Sequence, residues 1–131
     1  MADKSLTDYY NNLIVESISG VTSFTSIPTQ LNTAQLPCKY VRWTNLQNAV
    51  SSLSQLNGLP SYTFEVVVLI EPVGQNTTVA NQSLSMQIAE HMLSYAENLD
   101  GFLSINCAFE INLINNVAYW GLISTIEILG D

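Results

Sequence analysis

Residues 61–72, SYTFEVVVLIEP, alternate with the period of a β-strand. Tyr62, Phe64, Val66, Val68 and Ile70 fall on one side, and Thr63, Glu65, Val67, Leu69 and Glu71 on the other. The first side is wholly apolar and must be covered. The second mixes two carboxylates with two aliphatics, which suits neither a dry core nor open water. A chain built around this strand needs a sheet with one face packed under other elements. What its other face does is then the functional question.

Other segments supply the covering layer and the partner strands. Residues 5–18 have helical period, with Leu6, Tyr9, Tyr10, Leu13, Ile14 and Ile18 in one stripe. Ser5 with Asp8 resembles a capping box, and Gly20 is a natural stop. A second helix is expected over about 81–99, with Leu84, Ile88, Met92, Tyr95 and Leu99 as its stripe, Ala89 and Ala96 beside it, and Asp100-Gly101 at its end. Residues 36–43, LPCKYVRW, read as a strand with Pro37 at its entrance. Residues 104–114 and 117–129 read as two more, joined by a tight turn at Asn115-Asn116. The first of these places Ile105, Cys107, Phe109, Ile111 and Leu113 on the core side; the second places Trp120, Leu122, Ile126 and Ile128 there. Gly121, inside a strand, marks a bulge or a close backbone approach.

Between the strands lie two stretches without clear period. Residues 21–35, interrupted by Pro28, read as an extended connection. Residues 44–61 are dominated by Asn, Ser and Gly and are long for a hairpin turn. They read as a protruding loop, either an ordinary surface excursion or a segment that orders against a partner through Leu46, Val50, Leu53 and Leu56. The expected fold is a single α+β domain over residues 1–131, in the order α-β-β-α-β-β. A four-stranded, mostly antiparallel sheet would carry both helices on one face.

Charge narrows the function classes. Eleven acids face only Lys4, Lys39 and Arg42, for a formal net charge of −8. Three cations cannot build a phosphate track, which argues against nucleic-acid binding, and the same shortage argues against anionic membranes. Charged residues are only 11%, and polarity comes instead from 44 Ser, Thr, Asn and Gln residues. An uncharged polar surface costs less to bury against another protein, since no ion is desolvated. The opening MADKSLTDYY has no apolar segment of signal-peptide type, so a cytosolic chain with reduced Cys38 and Cys107 is expected.

Chemistry finds little support. His91 is the only histidine, which precludes a multi-histidine metal site, and it lies off the main stripe of its helix. No strand is followed by a glycine-rich phosphate loop, and no serine has the nucleophile-elbow setting. Catalytic residues, metal ligands and cofactors are therefore expected to be none. The far face of the sheet collects Glu65, Glu71, Glu110 and Glu127, beside Thr63, Val67, Leu69, Asn106, Ala108, Asn112, Ile114, Tyr119, Ile123 and Thr125. Three roles fit such a face: a solvated side of an antiparallel sheet, a subunit interface or lumen, or paired carboxylates doing acid–base or metal chemistry.

The order helix, strand, long loop, strand, helix, strand, strand, with a strand closing on Leu69-Ile70-Glu71-Pro72 before a polar loop, an amphipathic helix and a final hairpin, resembles the tail terminator (tail completion) proteins of long-tailed bacteriophages. The resemblance spans roughly residues 5–129 and lies in element order and texture, so no functional residue is transferred by it. It implies a non-enzymatic virion protein, assembled in the host cytoplasm, that caps the head-proximal end of the tail tube. The resemblance implies a ring of six copies. Implied partners are other copies of the chain, the tail tube protein and the head connector or stopper, with DNA passing through the lumen unbound and no membrane involved. An acidic lumen would repel the DNA backbone. On this resemblance Glu65, Glu71, Glu110 and Glu127 are candidates for interface or lumen, and the 44–61 loop for tube or neighbour contact. Alternatives are a head–tail connector or neck protein, and a small ligand-binding or enzymatic domain using the carboxylate face.

Overall fold

The computed structural model describes residues 5–48, 60–74 and 78–130. The order is α1 (Leu6–Val15), β1 (Thr22–Ser23), a 3-10 turn (Thr33–Gln35), β2 (Cys38–Asn48), β3 (Pro60–Pro72), α2 (Thr78–Glu97), β4 (Phe102–Ile114) and β5 (Val117–Leu129). The class is α+β, with two helices and a mixed sheet of five strands in the order β1-β2-β3-β5-β4. β1 runs parallel to β2, and the other pairings are antiparallel.

The fifth strand is a correction to the expected four. β1 is two exposed polar residues with no alternation of its own. Its extended form comes from its partner: the Thr22 amide donates to the Pro37 carbonyl at 2.9 Å, and the Phe24 amide to the Lys39 carbonyl at 2.8 Å. A second correction concerns residues 44–61. β2 continues to Asn48 and β3 begins at Pro60, so 44–48 and 60–61 are strand and not loop. Polar side chains are tolerated there because β3 supplies the ladder. Asn45 pairs with Thr63 and Leu46 with Tyr62 across a bulge at Thr44, whose hydroxyl donates to the Thr63 carbonyl at 3.1 Å.

Local signals set the helix and turn boundaries. Ser5 Oγ accepts from the Asp8 amide at 3.2 Å, and Asp8 Oδ2 accepts from the Ser5 amide at 3.1 Å. This reciprocal cap starts α1. The helix stops at Val15, three residues short of the expected Ile18, and Glu16 turns extended at ψ 123°. Its last turn has a tertiary cap: Lys39 Nζ, on β2, donates to the Leu13 carbonyl at 2.8 Å and also to the Glu16 carbonyl. Cations suit a helix C-terminus, where orphan carbonyls and the dipole both present negative charge. α2 starts at Thr78, three residues earlier than the expected start. Asn115 and Asn116, both at positive φ (50° and 65°), make the two-residue β4–β5 turn.

The main core lies between the helices and one face of the sheet. Tyr9 and Leu13 of α1, and Ile88, Met92 and Ala96 of α2, pack with Tyr62, Phe64, Val66, Val68, Leu122, Ile126 and Ile128. The apolar face of the opening segment is therefore the helix face. Tyr9 also reaches across to donate to the Asp100 carbonyl at 2.6 Å, tying α1 to the end of α2.

Candidate functional site

The far face divides in two. Toward Pro72 it is a second core: Cys38, Tyr40, Val67, Leu69, Ile114 and Tyr119 are buried, with Phe24, Leu31, Leu36 and Ile123 packed against them. Phe24 and Leu31, from the stretch 21–35 read as an extended connection, and Leu36 thus help to cover half of this face. Gly121 lies beside this core. A Cβ there would stand 2.8 Å from Asn112 Nδ2 and 3.0 Å from the Val68 carbonyl, which is the close backbone approach its place in a strand implied. The expectation of a uniformly half-polar far face is corrected accordingly.

Burial in this second core pushes the Cys38 thiol up to about 11 from its ordinary 9.0, while a hydrogen bond with the Leu69 backbone lowers it. The folded value lies above the unfolded one. The associated stability is therefore present below about pH 9 and lost as pH rises through about 11. Cys107 is half-buried, its Sγ 3.3 Å from Ser124 Oγ. A maleimide at pH 8 should therefore modify Cys107 first and reach Cys38 only after denaturation. Cys38→Ala should shrink the alkaline loss of stability. Equal labelling of both thiols in the folded protein would contradict this placement.

The four carboxylates do not gather at one point. Glu65 meets its cross-strand partner Arg42, with Nη1 to Oε1 at 3.4 Å. Glu127 pairs with Thr63, making it the diagonal neighbour of Glu65. Glu110 pairs with Gly121, six residues along β5 from Glu127, a separation of about 20 Å. Glu71 is not on this side at all. A bulge after Leu69 sets it opposite Trp120, in line with the helix-face residues of β5. Its Oε1 is buried with no hydrogen-bond partner among the described residues. The alternation read from the sequence fails here because the bulge adds one residue to β3 and shifts the phase. Of the loop candidates, Leu46 lies in β2 and is 52% exposed; Val50, Leu53 and Leu56 lie outside the described residues.

The sheet has two free edges. β1 covers β2 only as far as Lys39, so from Tyr40 onward β2 is an edge. Arg42 through Gln47 are all exposed there, Trp43 and Leu46 among them. A groove of about 570 Å³ runs beside this edge, lined by Leu6, Tyr10, Ile27, Val41 and Trp43. At the other end β4 is an edge along its whole 13 residues. Ile111 and Leu113 share the helix face of β4, as their alternation implied, but they are 52% and 69% exposed. They were read as core and are not, because the hairpin tip runs past the helices. Phe109 and Trp120 stack beside them, ring centroids 5.1 Å apart.

These edges went unnoticed in the sequence because strand order is a non-local property. The available signal was the near absence of charge: the sole charged residue of β4 is Glu110. Natural edge strands are usually blunted with charges, Pro or bulges, and β4 carries one charge over its 13 residues.

His91 sits between the helices. Its Nε2 lies 2.9 Å from Glu16 Oε2, so it joins α2 to the end of α1. No protein-family model matches the chain, and no curated protein matches it either.

Proposed function

We propose that this protein is a ring-forming structural component of a phage virion, the terminator at the head-proximal end of a tail tube. The observation that carries the reading is the sheet left open at both ends, with long, nearly uncharged edges studded by exposed Trp43, Leu46, Ile111 and Leu113. Two non-equivalent edges on one sheet suit head-to-tail assembly, which closes into a ring when the rotation between copies allows. The net charge of −8 suits a lumen through which DNA slides without sticking. Glu110 lies about 20 Å along the sheet from Glu127, and Glu65, beside Glu127, is engaged by Arg42 at 3.4 Å, an arrangement that fits a surface role.

The test is assembly. Purified tube protein should polymerise without a length limit alone, and stop when this chain is added, with a ring visible by negative stain at one tube end. Tubes of unchanged length and bare ends at saturating protein would refute the assignment.

A further inference from the structure

We propose that the copies of this chain join by pairing the free edge of β4 in one protomer with the free edge of β2, from Tyr40 onward, in the next, so that the sheets run on from copy to copy. This rests on the ring reading above and specifies its interface. The topology fixes the direction. β2 and β4 run in opposite senses within the protomer, since β2, β3, β5 and β4 alternate. Copies placed side by side in the same orientation therefore bring β4 against β2 as an antiparallel pair.

Charge selects the occupant and the register. Arg42 is the exposed cation among the described residues, Lys39 being buried, and it lies on the β2 edge. Glu110 is the one charge on β4 and is exposed. Both sit on the far face: Arg42 pairs with Glu65, and Glu110 with Gly121. Setting Arg42 opposite Glu110 makes the other positions agree. Val41 and Trp43 fall opposite Ile111 and Phe109, all on the helix face. Past the bulge at Thr44, Leu46 falls opposite Cys107 and Gln47 opposite Asn106, again on matching faces. A shift of one residue would set Arg42 against Phe109 or Ile111, and Val41 against Glu110 or Asn112. Arg42 would then bridge its own Glu65 and the neighbour's Glu110, which a guanidinium with five donors can do.

The test uses the full chain. Self-association is followed by mass photometry and analytical ultracentrifugation for wild type, Arg42→Glu, Glu110→Arg and the double exchange. Each single reversal puts like charges across the seam and should weaken association by about tenfold or more, while the double exchange restores it. Independently, the variant carrying both Gln47→Cys and Asn106→Cys should form covalent oligomer ladders on mild oxidation, beyond any seen for wild type or for either single cysteine. Rings that ignore the charge reversals and give no such ladder would overturn this interface and leave the ring assignment standing. Cross-linked, charge-dependent oligomers that fail to cap tubes would support the interface and reject the terminator assignment. A monomer at every concentration that gives no ladder even on tubes would overturn the pairing.

Discussion

Replacing Lys39 with methionine should lower the stability of this protein by about 2–4 kcal/mol, seen as a fall of about 10 °C in Tm. Lys39 is 1% exposed, the most deeply buried charge among the described residues. Two effects oppose each other at such a site. Removing a buried ion relieves its desolvation, and apolar replacements of buried ion pairs are often neutral or better. Here, however, the partners are main-chain carbonyls, those of Leu13 and Glu16, and they remain after the substitution. Methionine matches the stem but takes the Lys39 donor from the Leu13 and Glu16 carbonyls, and orphaned buried acceptors carry a desolvation penalty. The loss should therefore win. Methionine keeps the volume, so a cavity does not confuse the result.

Its pH dependence offers a second readout. Burial holds the Lys39 ammonium below its ordinary 10.5, with nearby Glu16 partly opposing. The unfolded chain therefore binds more protons than the folded one between the lowered value and 10.5. Lys39 thus adds stability as pH rises through that interval. Cys38 and Tyr95, the latter pushed by burial to about 12, act in the opposite sense. The methionine variant should consequently lose stability more steeply than wild type as pH rises toward 10.5. An unchanged Tm with an unchanged alkaline slope would mean that Lys39 does not cap the helix in solution.

How much of this was legible in the sequence follows from how local each signal is. The Ser5–Asp8 cap, the Asn115-Asn116 turn and the alternation of β3 up to Leu69 involve neighbours in the chain, and all three were readable. β1 was not, because two polar residues take their extended form from β2. The outer half of β2 was missed for the same reason: TNLQN has no strand character until Tyr62 and Thr63 pair with it. Nothing local in residues 36–43 marked Lys39 for burial, and only the arrival of α1 over β2 explains it. Glu71 was assigned to the far face by counting, and the bulge at Ile70 broke the count. Of the candidate site, the carboxylate positions were readable one by one. Their separation and the free edges depend on strand order, which no residue in the chain encodes alone.

The most direct check on the divided far face is Leu69→Ala, expected to cost about 3 kcal/mol. A strand face read as half-polar would tolerate this change within a few tenths of a kcal/mol if it met water. The structure gives a different expectation. Leu69 is 0% exposed and belongs to the second core with Cys38, Tyr40, Val67 and Tyr119. Its Cδ2 lies over Gly121, 3.2 Å from where a Cβ would stand, so its partner on β5 has no side chain to move into a vacated space. The cost of a cavity depends on how far its walls can relax, and strands held on both sides relax little. Thr63→Ala, on the same face of the same strand but only half-buried, is the internal control and should change stability by less than about 0.5 kcal/mol. A loss confined to Leu69 would show that residues 24–36 seal one half of this face. Equal, small effects at both positions would mean that the whole face is open, and the second core would have to be abandoned.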